Sequence, residues 1–203
     1  MARPIVSGIT GGIASGKSTV LAFLRDWGFV TIDADKTGHS IYQVDSEGYR
    51  AVVARFGVGI IDPATREIMR PELARIVFSD PSAMADLERL THPLILDQVH
   101  ASITDAAAQG KDSAVEAIQL FSSGLAAHCD ETWLVRVPPA TAVRRLVETR
   151  GLSYDDAAAR IEAQLDLLAD AAQRADWEID GTADLTEIAE RISERVERLR
   201  AKR

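Results

Sequence analysis

Eight residues near the start of the chain restrict its fold more than any other stretch. Gly11-Gly12-Ile13-Ala14-Ser15-Gly16-Lys17-Ser18 fits the pattern G-x-x-x-x-G-K-[ST] in full. Before it comes an apolar run, Pro4 to Thr10, that reads as a strand. After it comes Lys17 to Trp27, where Val20, Phe23, Leu24 and Trp27 share one helical face. The pattern works only in that setting. Its glycines let consecutive backbone N–H groups turn inward on phosphate oxygens, and the helix that follows points its positive end at them. Lys17 then reaches the outer phosphates, Ser18 completes a magnesium shell, and Thr19 offers a second hydroxyl near the α-phosphate. A strand, a nucleotide-phosphate loop and a helix are therefore expected in that order.

Such a loop has to supply positive charge locally, because the chain as a whole does not. Its 203 residues hold 23 Lys and Arg against 31 Asp and Glu, a formal net charge of −8. That balance argues against nucleic acid or an anionic membrane as partner. A hydrophobic share of 46% excludes a disordered chain. Cys129 is the only cysteine, which removes an intrachain disulfide framework and a zinc cluster and fits a reducing compartment. No apolar run approaches the roughly 18 residues of a spanning helix, and the opening MARPIVSGITGG is too poor for a secretory signal. A cytoplasmic protein is expected, as a monomer or weak homo-oligomer.

Further strands are expected at Phe29 to Asp33, Ser113 to Ile118, Thr132 to Val137 and Trp177 to Asp180, each separated from the last by helical pattern. That alternation predicts an α/β fold with a parallel sheet flanked by helices, since parallel neighbours need long crossovers. Helical stretches at Tyr49 to Phe56, Pro71 to Phe78 and Pro81 to Ala108 fill the gap between the second and third strands. Pro71 and Pro81 suit first helical turns. The stretch Ala140 to Gln173 breaks at Gly151-Leu152-Ser153, where Ser153 and Asp156 have capping-box spacing. Leu185 to Leu199 reads as a packing helix opened by Asp184. The expected domain plan is a core of about 1–35, 111–140 and 174–203, a helical insertion of about 36–110 and a lid of about 141–173.

Transfer of a phosphoryl group to a hydroxyl needs a carboxylate near the γ-phosphate, and Asp33-Ala34-Asp35 ends the second strand. Strand alternation would turn both side chains to one side, where one carboxylate would hold a raised pKa and serve the acceptor. The alternative is a helix cap plus a turn. Glu116 is either the holder of a magnesium-bound water or half of a strand-end salt bridge. Arg70, before Pro71, pairs with phosphate or covers a helix start. His92, before Pro93, is a ligand or a structural hydrogen-bonder. Arg144, Arg145, Arg150 and Arg160 either close over phosphate or line a solvated face with Glu148, Asp155 and Asp156.

With these residues assembled, the sequence resembles the dephospho-CoA kinase family of P-loop small-molecule kinases. The resemblance rests on GITGGIASGKSTV, IDAD at Ile32 to Asp35, MRPELARIVFSDP at Met69 to Pro81, His92-Pro93 with Leu94 and Ile95, and RGLSYDDAAARIEAQ at Arg150 to Gln164. It implies a P-loop kinase fold with a helical acceptor-binding insertion and lid. It implies ATP and Mg2+, and phosphorylation of the ribose 3′-hydroxyl of dephospho-CoA, the last step of coenzyme A biosynthesis. On that resemblance Asp35 is the candidate base with Asp33 its neighbour, Arg70 and His92 line the acceptor site, and Arg160 belongs to the lid; from the basic cluster itself, Arg150 is expected with Arg160 on the nucleotide. The chain departs from the family pattern at Ser122, where glutamate is common, at Thr149, at Gly181 after Asp180, and at His39. Two alternatives stay open: another P-loop kinase of nucleoside-type acceptors, since the loop does not choose the acceptor, and, from Ser122, Thr149 and Gly181, a nucleotide-binding regulator that has lost transfer.

Overall fold

The structure, a computed structural model, describes residues 3–202, with the His39 side chain outside the described part. Five strands, β1 (Val6–Gly11), β2 (Val30–Asp33), β3 (Ser113–Glu116), β4 (Glu131–Arg136) and β5 (Trp177–Asp180), form one sheet in the order β2-β3-β1-β4-β5. Every pairing is parallel. β1 is central and buried at all six positions, which is why its sequence is a continuous run of small and apolar residues and does not alternate.

Nine helices are described: α1 (Lys17–Asp26), α2 (Ala34–Ser40), α3 (Glu47–Phe56), α4 (Arg70–Ser79), α5 (Pro81–Ala108), α6 (Pro139–Arg150), α7 (Tyr154–Glu162), α8 (Leu165–Arg174) and α9 (Leu185–Ala201). The main core joins β1, β4 and β5 to α1 and α9 through Ile9, Leu24, Trp133, Ile179, Ile192 and Val196. The expected stripe of the last helix is the buried face of α9, and Asp184 caps it by accepting from the Glu187 N–H. Trp133 is fully buried and meets Trp177 edge-on, with ring centroids 4.8 Å apart. Its Nε1 donates to Glu131 at 2.7 Å, and Arg195 from α9 pairs with the same carboxylate.

Two features differ from expectation. α2 forms from ADKTGHS, which has no apolar period; its Gly38 is buried so closely that a Cβ would sit 3.2 Å from Ile95 Cδ1. Packing, not propensity, makes this a helix. The stretch after α6 breaks at Gly151 to Ser153 as expected, with Ser153 Oγ accepting from the Asp156 N–H at 3.1 Å, but it breaks again at Ala163-Gln164.

The chain divides into two compact units, one built from residues up to Asp33 with those from Ser102 onward, the other from Ala34–Ala101. The first holds the sheet. The second has its own core, including Val52, Ile60, Leu73 and Val77. Among the described residues, no helix is long and apolar enough to cross a membrane.

Candidate active site

The phosphate loop leaves the carboxyl end of the central strand. The chain goes from β1 to β2 on one side and reaches β4 on the other, so the loop sits where the strand order reverses, the usual ligand crevice of such sheets. Gly11 has φ +151°, and a Cβ there would lie 2.4 Å from the Val135 carbonyl oxygen. Gly16 adopts the left-handed region at φ +107°, immediately before α1. Ala14 does the same at φ 59°, which costs about 1–2 kcal/mol in a residue with a Cβ. It is held there by packing: Ile13 and Ala14 lie against the cluster of Ala142, Leu146, Ala157 and Ile161 from α6 and α7. The first turn of α1 carries no acidic residue, which leaves its positive end unopposed.

Lys17 is buried, and its Nζ donates to the carbonyls of Gly11 at 2.8 Å and Gly12 at 3.0 Å. The same ammonium lies 3.7 Å from Glu116 Oε1. Glu116 ends β3, with Ile9 of β1 opposite it on one side and Asp33 of β2 on the other. Glu116 thus makes the strand-end ion pair, and its partner is the loop lysine itself. Ser15 is buried, and its Oγ has no hydrogen-bond partner among the described residues. Ser18 is exposed and Thr19 half-buried on the first turn of α1.

The segment α6 to α8 grips this loop with two side chains that the motif does not contain. Arg145 Nη1 donates to the Ala14 carbonyl at 3.1 Å and the Ser15 carbonyl at 3.4 Å, while Nη2 donates to the Gly181 carbonyl at 2.7 Å. Gln164 Oε1 accepts from the Ile13 N–H at 2.9 Å. Arg145 therefore braces backbone rather than lining a solvated helix face. Arg150, together with Arg145, Ser18, Thr19, Thr149 and Gly181, lines a cavity of about 430 Å³ beside α1. Arg144 and Arg160 are exposed and make none of the loop's hydrogen bonds.

The departures acquire local explanations. Gly181 is buried where a Cβ would fall 2.2 Å from the Ser15 carbonyl oxygen, so no asparagine fits this backbone. The Thr149 hydroxyl donates to the Arg145 carbonyl at 2.6 Å. Ser122 is exposed, its hydroxyl donating weakly to the Gln119 carbonyl at 3.4 Å. The His39 departure lies outside the described side chains.

In the helical unit, Asp35 is exposed in the first turn of α2. This corrects the alternation expected for Asp33 and Asp35: β2 ends at Asp33 and a helix begins at Ala34, so the two do not share a strand face. Arg70 is exposed at the start of α4, with its guanidinium 5.8 Å from the Tyr42 ring centroid. Burial raises the Tyr42 pKa, opposed by a hydrogen bond with Thr91 and by the Arg70 charge. His92 is half-buried on α5 between Thr91 and Pro93. Tyr42 is thus the link between the surroundings of Arg70 and of His92, and no spacing in the sequence announces it.

Many small kinases share a loop of this kind, and the rest of the chain distinguishes among them. A sequence model described as dephospho-CoA kinase matches residues 5–187, a span that contains the loop, Asp33, Asp35, Arg70, His92, Glu116, Arg150 and Arg160. The chain belongs to the dephospho-CoA kinase family. The dephospho-CoA kinase of Geobacter sulfurreducens is 38% identical to it over 190 residues, covering 93% of this chain and 95% of that protein. The crystal structure of TT1252 from Thermus thermophilus matches it with a TM-score of 0.79 and 32% identity, over 96% of this chain and 97% of that one. A shikimate kinase from Bacteroides thetaiotaomicron shares the fold at a TM-score of 0.55 and 17% identity, covering 95% of this chain and 98% of that one. The architecture is thus that of the P-loop kinases, and a dephospho-CoA kinase family member uses ATP.

Proposed function

We propose that the protein transfers the terminal phosphoryl group of ATP to the ribose 3′-hydroxyl of dephospho-CoA, yielding coenzyme A and ADP. The observation that carries this reading is the buried Lys17 ammonium, held on the Gly11 and Gly12 carbonyls beside Glu116 at the switch point of the sheet. An ammonium in that place meets the outer phosphates of a nucleotide cradled by the loop. The cavity lined by Ser18, Thr19 and Arg150 has the size for the nucleoside half.

Among the described residues, no three His, Cys, Asp or Glu side chains form a group able to hold a metal. That fits Mg2+ arriving with the nucleotide, since this ion keeps most of its ligands as water and phosphate. Ser18 would hold it directly and Glu116 through water. When bound, it offsets charge on the phosphate oxygens. The chain's own residues do the rest. Lys17 neutralises charge that develops on the transferring group, and the loop N–H groups hold the leaving diphosphate. Asp35 accepts the proton of the acceptor hydroxyl as the new O–P bond forms and the bond to the ADP oxygen breaks. Asp33, two residues before it, keeps the local field negative. Arg70 and His92 hold the acceptor, whose phosphates need a cation. Arg150 and Arg160 approach the nucleotide when α6 to α8 act as a lid over it. The single cysteine, a free thiol, supports a reducing compartment such as the cytoplasm for this work.

Asp35→Asn is expected to lower turnover about 100-fold or more while ATP affinity stays within twofold. Full turnover in that variant, measured as coenzyme A formed, would remove Asp35 from the chemistry.

A further inference from the structure

We propose that Gln164 is a positioning residue for the terminal phosphate of ATP, locking the entrance of the phosphate loop to the α7–α8 junction. Gln164 occupies the position before the first turn of α8, where the short side chains of Ser, Thr, Asp or Asn ordinarily bond the helix N–H groups. It makes no such bond. Its Oε1 instead accepts from the N–H of Ile13, 151 residues away, at 2.9 Å. Because the partner is a backbone donor, the facing atom must be the amide oxygen, which turns the NH2 group away from the loop. Those NH2 donors bond no described residue.

Which phosphate this bond serves follows from Lys17. Its ammonium rests on the carbonyls of Gly11 and Gly12, and the lysine of this motif reaches the outer phosphates. Ile13 is the next residue, so the N–H held by Gln164 belongs to the outer end of the cradle. The inner end is α1, whose first turn takes the remaining phosphates. Leu168, one helical turn after Gln164, reinforces the contact: a Cβ on Gly12 would lie 3.0 Å from Leu168 Cδ1 and 3.4 Å from Gln164 Oε1. Two successive loop residues are thus gripped by two residues of one helix face. Arg145 holds the middle of the loop independently, through the Ala14 and Ser15 carbonyls. The carbonyl of the Gly12-Ile13 peptide is held by Lys17 Nζ at 3.0 Å and by the Ser15 N–H at 3.2 Å. Without the Gln164 acceptor the N–H side of that peptide loses its partner, and the outer phosphate loses part of its fixed frame while the inner ones keep theirs.

The proposal rests on the reading that the loop takes ATP, and its test needs no acceptor. Gln164→Met keeps the volume and removes the hydrogen-bond acceptor. Titration calorimetry with the β,γ-imido analogue of ATP and with ADP is expected to show about tenfold weaker binding of the analogue, with ADP changed less than twofold. Gln164→Ala, with no side chain to misplace, should show the same selective loss. Equal weakening of both nucleotides would make Gln164 a general support of the fold and overturn the assignment, as would no change in either. Failure of the unmodified chain to bind either nucleotide would overturn the ATP reading itself, and this proposal with it.

Discussion

On the proposed reading Lys17 is the residue on which the chemistry turns, a buried local cation in a chain of net charge −8. Lys17→Met should lower kcat by about 100- to 1,000-fold, the range typical for removing one group that stabilises developing charge, and should also lower the melting temperature, because the Gly11 and Gly12 carbonyls lose their donor and Glu116 its cation. A steady-state assay with a thermal melt checks both. Gly181 is decided by space alone: with a Cβ placed 2.2 Å from the Ser15 carbonyl oxygen, Gly181→Ala should cost about 1–3 kcal/mol and lower the melting temperature by several degrees. Cys129 gives a pH-dependent prediction. Burial, reinforced by the charges of Asp130 and Asp176, pushes its thiol from 9.0 up to about 12. The folded protein therefore holds about a thousandfold less thiolate at pH 8 than an exposed cysteine would, and iodoacetamide labelling should be correspondingly slow until the chain unfolds. The contribution of the neutral thiol of half-buried Cys129 to stability is intact below pH 9.0 and declines as pH rises toward 12. Rapid labelling of the native protein at pH 8 would contradict the burial.

Among the elements, α9 is tied to the sheet by a buried polar link as well as by its apolar stripe. Glu131 on β4 receives Trp133 Nε1 and the guanidinium of Arg195, whose side chain is about a quarter exposed. Arg195→Met would leave a buried carboxylate with one neutral donor, and about 3 kcal/mol of stability should be lost, at the low end for a broken buried pair because water reaches the arginine. Denaturant unfolding measures this; a loss below about 0.5 kcal/mol would make the pair a surface one. The strands and the α9 stripe were legible in the sequence because parallel sheet cores and amphipathic helices leave local patterns, as in the buried run of β1. α2 was not legible, since ADKTGHS becomes helical only through the close approach of Gly38 to Ile95. The same limit applies to the site. The loop from Gly11 to Ser18 is one contiguous motif, whereas Gln164 and Arg145 meet it from more than 100 residues away, and Tyr42 joins Arg70 only across the helical unit. Contacts of that kind carry no spacing to read.

At the scale of the whole molecule, the loop and the acids at the strand ends sit in the sheet unit, while Asp35, Arg70 and His92 sit in the helical unit of Ala34–Ala101. The loop alone is common to many kinases, so on the proposed reading the choice of acceptor falls to the helical unit. The family match spans both, covering residues 5–187. Water exclusion by closure over the nucleotide predicts that ATP is nearly inert until the acceptor arrives. ADP release from ATP and magnesium, measured with and without dephospho-CoA, tests this most directly. Release is expected to be at least about 100-fold faster with dephospho-CoA, with coenzyme A formed in equal amount, and to respond little to nucleosides or shikimate. Release that is independent of dephospho-CoA, or equally fast with another hydroxyl acceptor, would contradict it.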